Sequence, residues 1–254
     1  MDPAGGTPNL PGERTTEPAF GLPAIWIDPS QREAALMRQC TIVDPPSVLA
    51  THLTELVRDM MPELLSYAET QKLLDDLPRE HQKLVSDLIP GMISVGGVQR
   101  VLQALLAERV SIRDLPTILE GVHEACAGQP RAIPGIVAIV RTRLARQLCE
   151  SNANADGVVP LVALSPEWET AFADSLVGTS EDRQLAMAPT RLADFMRRFR
   201  EVFDAHAVET PVLLTSATLR APLRAIVERI RPATPVLAQS EIHPRARIRT
   251  VGTI

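Results

Sequence analysis

VQRVLQALLAERVSIRDLPTILE is the sequence of residues 98–120, and this stretch decides the fold that we predict. Its first half places apolar residues at positions i, i+3, i+4, i+7 and i+8, which is the stripe of a helix packed on one side. These residues are Val98, Val101, Leu102, Leu105 and Leu106. A second stripe consists of Ile112, Leu115, Ile118, Leu119 and Val122. Because two stripes so close along the chain must be buried together, the stretch forms the centre of a helical subdomain.

The corner between these two helices carries capping signals. Ser111 stands where an N-cap is expected, and Asp114 follows three residues later, as in a capping box with Asp in place of Glu or Gln. Pro116 then lies early in the second helix, where its missing N–H costs least. We therefore predict a helix over residues 112–126.

Changes of periodicity divide the rest of the chain into parts. Residues 63–150 are helical throughout. The predicted helices are 68–77, 79–89, 97–109, 112–126 and 134–149. Residues 151–157 form a polar linker, and residues 158–254 interleave strands with helices, which indicates a C-terminal α/β subdomain. The fold class is therefore mixed α/β with a helical central subdomain.

The N-terminal part is less regular. Residues 1–23 are rich in Gly, Pro and Thr without a helical or strand period, so we expect a loop or flexible arm. Residues 24–62 should form the remainder of an α/β subdomain, beginning with a short strand and containing another at 41–43. Ser47 should cap a helix with a buried apolar stripe, and Pro62 should end or kink it.

The composition excludes several classes of protein. Of the 254 residues, 45% are apolar and 3% aromatic, so the core is built mainly from Leu, Val, Ile and Ala. The net charge of −5 gives no electrostatic footprint for nucleic acid. The three cysteines are far apart, which suits a reducing compartment rather than a disulfide framework or a zinc site. Because no apolar run is long enough for a transmembrane helix, we expect a soluble chain.

The sequence lacks the common motifs of catalysis and cofactor binding. It contains no P-loop, no Gly-x-Ser-x-Gly elbow, no His-Glu-x-x-His helix and no Gly-x-Gly-x-x-Gly turn. The five histidines have no Cys or carboxylate at ligand spacing. We therefore predict no catalytic residue, no metal site, no cofactor and no enzyme activity.

Two patterns in the C-terminal part each allow two interpretations. Thr215 and Ser216 follow a strand and begin a helix, so they could cradle an anion, or Ser216 could be an ordinary N-cap. Phe195, Phe199 and Phe203 share one helix face, which is either core or an exposed docking stripe.

A third pattern lies near the C-terminus. Arg245, Arg247 and Arg249 alternate along a predicted strand, which puts them on one side of it. Such charges either keep a sheet edge from pairing or contact an acidic partner.

Six blocks of the sequence, in the same order, resemble the FHIPEP family of flagellar type III export-gate proteins. They are Pro18–Ile27, Pro46–Leu53, Glu69–Asp75, Val101–Glu120, Pro211–Ser216 and Glu241–Gly252. Homologous gates of virulence injectisomes share this framework, and overall similarity favours the flagellar branch. The resemblance implies that the helical subdomain is flanked by an incomplete thioredoxin-like α/β part and by a C-terminal thioredoxin-like α/β subdomain, both without redox chemistry.

Members of this family begin with a large transmembrane region, followed by a linker and a four-part cytoplasmic domain. By this resemblance the chain starts inside the second cytoplasmic part. We therefore expect a fragment of a multi-pass inner-membrane protein, located at the cytoplasmic face. The resemblance also implies a homo-oligomeric ring in the full-length protein and other export-apparatus proteins as partners.

The resemblance further implies a docking site for flagellar export chaperones that carry late substrates. In the family a loop and a helix line a hydrophobic dimple, and the matching positions here are Glu17, Phe20 and Thr51. One family member has Asp where this chain has Glu17, so the charge is kept and a methylene is added. Val43 and Val48 are expected as apolar lining. A Phe in a Gly- and Pro-rich loop is either buried or offered to a partner. By the resemblance, Phe20 is the apolar anchor of the docking site, and a rim carboxylate and hydroxyl fix the orientation of the bound partner.

Two other functions are compatible with the sequence. A thioredoxin-like or phosphate-binding enzyme could use Ser216. A purely structural ring component needs no exposed dimple, so the constellation of Glu17, Phe20 and Thr51 distinguishes a docking platform from a ring spacer.

Overall fold

The computed structural model describes residues 10–127, 132–178 and 184–254. The chain divides into two compact units, Met1–Leu64 and Leu65–Ile254. Of the predicted N-terminal arm, residues 1–9 lie outside the described part. The predicted helical part, residues 63–150, lies in the second unit except for residues 63 and 64. The predicted C-terminal α/β part, residues 158–254, lies wholly in the second unit.

A β-hairpin opens the described part of the first unit. Strand β1 (Glu13–Thr16) pairs antiparallel with β2 (Pro23–Trp26), in a register that sets Glu13 opposite Trp26. The prediction of a loop without strand structure is therefore wrong at β1. The sequence of β1, ERTT, has no apolar alternation, so its pairing rests on backbone hydrogen bonds that leave no side-chain pattern.

Two helices follow the hairpin. Helix α1 (Arg32–Met37) is preceded by a 3-10 turn at Pro29–Gln31, and α2 (Pro45–Leu64) completes the unit. The strand predicted at 41–43 is absent, because this segment has no partner strand among the described residues. Pro62 does not end α2 directly, because a proline disturbs the hydrogen bonding of the turn before it rather than that of the residues after it; α2 ends two residues later, at Leu64.

A layer of helices begins the second unit. They are α3 (Tyr67–Asp75), α4 (Arg79–Leu88), α5 (Val95–Ala107), α6 (Leu115–Cys126), α7 (Ile133–Arg143) and α8 (Ala145–Ser151). The two stripes predicted between residues 98 and 122 are confirmed as core, since most of their members have 0% exposure. Helix α6 packs closely on α7 at Gly121, where an added Cβ would lie 3.0 Å from the Cα of Val140.

The second helix of the organising stretch starts later than predicted. Asp114, not Ser111, is the N-cap of α6, and its carboxylate accepts the N–H of Thr117 at 3.3 Å. Ser111 instead accepts the N–H of Arg113 at 3.4 Å. An earlier start would place Pro116 inside the helix, whereas the Asp114 cap places it in the first turn, where no N–H is needed.

The C-terminal part of the second unit contains a parallel sheet. In chain order its elements are β3 (Val158–Ala163), α9 (Pro166–Asp174), β4 (Leu176–Val177), β5 (Gln184–Leu185), α10 (Pro189–Ala205), β6 (Val212–Thr215), α11 (Ala217–Ile230), β7 (Val236–Ala238) and β8 (Arg247–Thr253). The four main strands are parallel in the order β7-β6-β3-β8, and β4 pairs antiparallel with β5. The predicted mixed α/β class is confirmed, and a thioredoxin-like relationship stays a prediction.

Strands β3, β6 and β7 are largely buried on both faces, since the pleat directs alternate side chains to opposite sides, whereas the edge strand β8 is mostly exposed. Val159 and Leu161 of β3 join the core of helices α5–α8, whereas Val162 joins a second core with α9–α11. The second core holds the aromatic residues Trp168, Phe172, Phe195, Phe199 and Phe203. The polar linker predicted at 151–157 therefore does not separate the packing, because the first core continues across it.

Four ionic side chains connect these layers. Arg141 of α7 donates to Glu241 through Nε at 2.7 Å and Nη2 at 2.9 Å, and to Glu108 through Nη1 at 3.0 Å. Arg220 of α11 donates to the same Glu108 at 2.6 and 2.9 Å. Burial alone would lower the pKa of Arg141, but the hydrogen bond from Arg141 to Glu241 and the charges of both carboxylates outweigh it and raise that pKa. We call these four residues the buried quartet.

Candidate docking site

The turn between β1 and β2 is shaped by Glu17. This residue is only 5% exposed, and its carboxylate accepts the N–H of Ala19 at 3.0 Å and the N–H of Phe20 at 2.7 Å. Two backbone bonds close the turn: the Glu17 N–H donates to the Leu22 carbonyl at 2.8 Å, and the Gly21 N–H donates to the Glu17 carbonyl at 3.0 Å. Gly21 has a φ of 68°, which glycine adopts without strain. The carboxylate expected at the rim of the dimple therefore holds the turn together, and its contact with a partner stays a prediction.

Phe20 lies in this turn with 62% of its surface exposed. The interpretation in which this ring is buried is therefore wrong among the described residues, and its contact with a partner stays a prediction. The backbone N–H of Phe20 is fixed by Glu17, so the exposed ring is carried on an ordered turn. Leu22 and Trp26 are also exposed and add apolar surface to the same hairpin.

The other predicted site residues lie in the first turns of α2 or, for Val43, two residues before it. Val43 and Val48 are half-buried, and Thr51, about one helical turn after Val48, is exposed. The hydrogen bond from the Ser47 side chain holds the pKa of the Asp44 carboxyl below its usual value. An ionised carboxylate at this position complements the positive end of the α2 dipole and so supports the helix start.

Four of the five predicted site residues thus form two groups, and Val43 precedes α2. The turn brings Glu17 and Phe20 together, and the helix brings Val48 and Thr51 together. Among residues 10–64, no hydrogen bond joins Glu17 or Phe20 to Thr51. A single dimple that contains both groups stays a prediction.

A continuous apolar face on α2 was expected to be buried and is not. None of the helix residues is buried. The exposed apolar residues along one side are Leu49, Leu53, Leu56, Val57, Met60 and Leu64. The sequence pattern identified this stripe correctly, but periodicity reveals only that a face is apolar and not whether anything packs on it.

The anion cradle considered at Thr215 and Ser216 is filled by the chain itself. One oxygen of Glu169 accepts the Thr215 hydroxyl and the Ser216 N–H, both at 2.9 Å, and the other accepts the Ser216 hydroxyl at 2.8 Å. Ser216 is the N-cap of α11, but its side chain makes no capping hydrogen bond. Because a carboxylate already occupies the position of an external anion, the geometry does not favour phosphate-binding chemistry at Ser216.

The three phenylalanines of α10 belong to the core. Phe195, Phe199 and Phe203 are each at most 1% exposed. The rings of Phe199 and Phe203 are stacked, with centroids 4.3 Å apart. The interpretation of these residues as an exposed docking stripe is therefore wrong.

Within residues 10–127, 132–178 and 184–254, no group of three or more His, Cys, Asp or Glu side chains is placed to hold a metal ion. No helix in the same ranges combines the length and the apolar character of a membrane span.

Comparison with known proteins gives relatives over nearly the whole chain. A profile of the FHIPEP family matches residues 1–247. The chain is 56% identical over 256 residues to the flagellar biosynthesis protein FlhA of Caulobacter vibrioides, with 100% of this chain and 36% of that protein covered. The chain therefore spans little more than a third of the length of this curated relative.

Two solved structures share the fold of the chain. The Chlamydia pneumoniae CdsV protein has a TM-score of 0.83 and 24% identity, with 97% of this chain and 71% of that chain covered. Nonameric EPEC SctV-C has a TM-score of 0.77 and 22% identity, with 89% of this chain and 68% of that chain covered. At these identities the likeness shows a shared fold.

Proposed function

Because the chain belongs to the FHIPEP family, we propose that it is a non-enzymatic docking platform of the flagellar type III protein export gate. In this proposal it binds complexes of export chaperones with late flagellar substrates before export across the inner membrane. The docking site contains Phe20, Thr51, Val43 and Val48, with Glu17 as the residue that positions the anchor. The chain needs no catalytic residue and no cofactor for this task.

The exposed ring of Phe20 on an ordered turn is the observation that carries the proposal. An aromatic side chain that is 62% exposed leaves most of its apolar surface unused by its own unit, and this area is available to a partner. Glu17 fixes the backbone beneath it, so less conformational entropy is lost when the partner binds. In this proposal Glu17 positions the anchor, in addition to the rim contact that the family resemblance implies.

Helix α2 supports the same proposal. Its exposed Thr51 offers a hydroxyl, and the half-buried Val43 and Val48 offer apolar lining beside it. A chaperone that contacts both the hairpin turn and the start of α2 would bury aromatic and aliphatic surface around a small polar contact. Such an apolar centre with few polar groups is typical of specific protein interfaces.

The assembly and the location of the protein are part of the proposal. The related SctV-C is nonameric, and we propose that the full-length protein likewise forms a homo-oligomeric ring at the cytoplasmic face of the bacterial inner membrane. Other proteins of the export apparatus are expected partners of this ring. Many copies of one docking site in a ring would raise the local concentration of sites for each arriving complex.

We predict that Phe20→Ala and Thr51→Met each weaken chaperone–substrate binding in the full-length protein. Phe20→Ala removes the aromatic anchor, which typically costs about 2 kcal/mol or about 30-fold in affinity. Thr51→Met places a larger side chain on the surface that the partner covers. Calorimetric titration with a flagellar export chaperone bound to its late substrate measures both effects.

Val208→Ala is the matched control, because Val208 is a fully exposed apolar side chain in the second unit. Its affinity should equal that of the unmodified protein. If Phe20→Ala and Thr51→Met also bind with unchanged affinity, these residues lie outside the docking site. The chain would then be better described as a structural ring component.

A further inference from the structure

A cleft in the second unit has a charge distribution that no part of the proposed docking function uses. It has a volume of about 780 Å³ and lies between the end of α8, the 151–157 segment and the residues that lead into β8. This size is within the range of natural ligand sites, which are roughly 300–1,000 Å³. The cleft therefore has room for several residues of an extended peptide.

The lining of the cleft carries an excess of positive charge. Its arginines are Arg146, Arg245 and Arg247, and its single carboxylate is Glu150. Arg146 is paired with Glu150 at 2.8 Å. This pair neutralises itself, so the charge available to a ligand comes from the other two guanidinium groups.

Arg245 and Arg247 have no carboxylate partner among the described residues. The side chain of Arg247 donates to the backbone carbonyl of Asp156 at 3.2 Å, which orients the guanidinium without neutralising it. The backbone N–H of Arg245 donates to Nδ1 of His243 at 3.2 Å, which fixes the main chain beneath that side chain. Both arginines therefore lie on ordered backbone and have no carboxylate counter-charge among the described residues.

The remaining surface of the cleft suits a peptide better than a nucleic acid. Ala153, Pro244 and Ala246 supply small apolar contacts. None of the lining residues is a Phe, Tyr or Trp, so the cleft lacks the platforms on which unpaired bases usually stack. The net charge of −5 over the whole chain also disfavours a polyanion as long as a nucleic acid.

We propose that this cleft binds an acidic, extended peptide segment of a second protein, with carboxylates paired to Arg245 and Arg247. Arginine presents parallel N–H groups that match a carboxylate, so each guanidinium can hold one acidic side chain of the peptide. This site lies in a different unit from the hairpin turn, and the proposal does not depend on chaperone docking.

Fluorescence anisotropy with a labelled peptide of alternating Glu and Ala tests the proposal on the whole chain. We expect saturable binding that weakens as salt rises, and about tenfold weaker binding to the R245A/R247A variant. The control is Arg229→Ala, which removes one exposed arginine at the end of α11, outside the cleft, and should leave the affinity unchanged. Because all three arginines are exposed, these variants should fold normally, which circular dichroism checks.

Three results would overturn the proposal. The first is the absence of saturable binding to the unmodified chain. The second is equal affinity for the peptide in R245A/R247A and in the unmodified chain, or equal affinity for a peptide with Gln in place of Glu. The third is displacement of the peptide by a single-stranded oligonucleotide of equal charge that binds more tightly than the peptide. That result would assign the cleft to nucleic acid.

Discussion

Replacing Arg141 with alanine is expected to lower the free energy of unfolding by about 3–5 kcal/mol, the cost of breaking a buried ion pair from one side. The side chains of Arg141 and Glu241 are each 2% exposed, and the guanidinium holds both oxygens of this carboxylate. Without the arginine, Glu241 stays buried without its closest cation. Arg220 is the remaining cation of the quartet, but its Nε lies 3.6 Å from Glu241, so it compensates only in part. Urea unfolding followed by circular dichroism measures the change.

The neighbouring Arg143 provides a matched control on the same helix. Its side chain is 45% exposed and pairs with Glu120 and Glu124 at the surface. Surface pairs contribute about 0–1 kcal/mol, so Arg143→Ala should have a small effect. The double variant Arg141→Met with Glu241→Leu should recover part of the stability, because it removes both charges together. If Arg141→Ala were no more destabilising than Arg143→Ala, the quartet would not connect the layers as we describe.

Replacing Phe199 with alanine is expected to lower the free energy of unfolding by about 3–5 kcal/mol as well. Phe199 has 0% exposure and lies between the rings of Phe195 and Phe203 in the aromatic core. The substitution removes a whole ring from packed surroundings, and the cavity that remains cannot close without moving its neighbours. The midpoint of thermal or urea unfolding should fall accordingly.

The next residue along α10 supplies the control for this prediction. Arg200 is exposed, so Arg200→Ala should change the stability by no more than about 0.5 kcal/mol. The comparison separates the two interpretations of the phenylalanine pattern. A docking stripe would tolerate Phe199→Ala without loss of stability, and that outcome would contradict the core position that the structure gives.

Regular helices of the second unit could be predicted because their periodicity has a single physical cause. A stripe repeating every 3.6 residues fits one helix face, and α5 and α6 follow it. The exact start of α6 could not be read in the same way, since Ser111 and Asp114 are both good caps. The choice between them depended on where Pro116 could be placed, which is a constraint on the backbone rather than on hydrophobicity.

Features that depend on partners distant in sequence were not predictable. The quartet joins Glu108, Arg141, Arg220 and Glu241, and the pair Arg141–Glu241 is separated by 100 positions. No local pattern marks such residues, because charged side chains are usually solvated. The acceptor role of Glu17 is local, but choosing between a rim contact and a turn contact requires the backbone path.

The apolar face of α2 shows that sequence periodicity predicts an apolar stripe but not its burial. Its sequence period predicted the stripe, whereas its exposure is a property of what packs on it. The exposure of Phe20 likewise depends on whether anything packs on its ring. The family resemblance, rather than any pattern in residues 17–22, favoured an exposed ring there.

Site-specific photo-crosslinking tests most directly whether chaperone–substrate complexes dock on the hairpin turn. A photoreactive amino acid is placed in the full-length protein at Leu22, which is exposed beside Phe20, and in a second variant at the fully exposed Val208 of the other unit. We predict that a flagellar export chaperone bound to its late substrate crosslinks at position 22 and not at position 208, and that Thr51→Met reduces this crosslink. A complex that binds the protein but crosslinks at position 208 and not at position 22 would contradict the account.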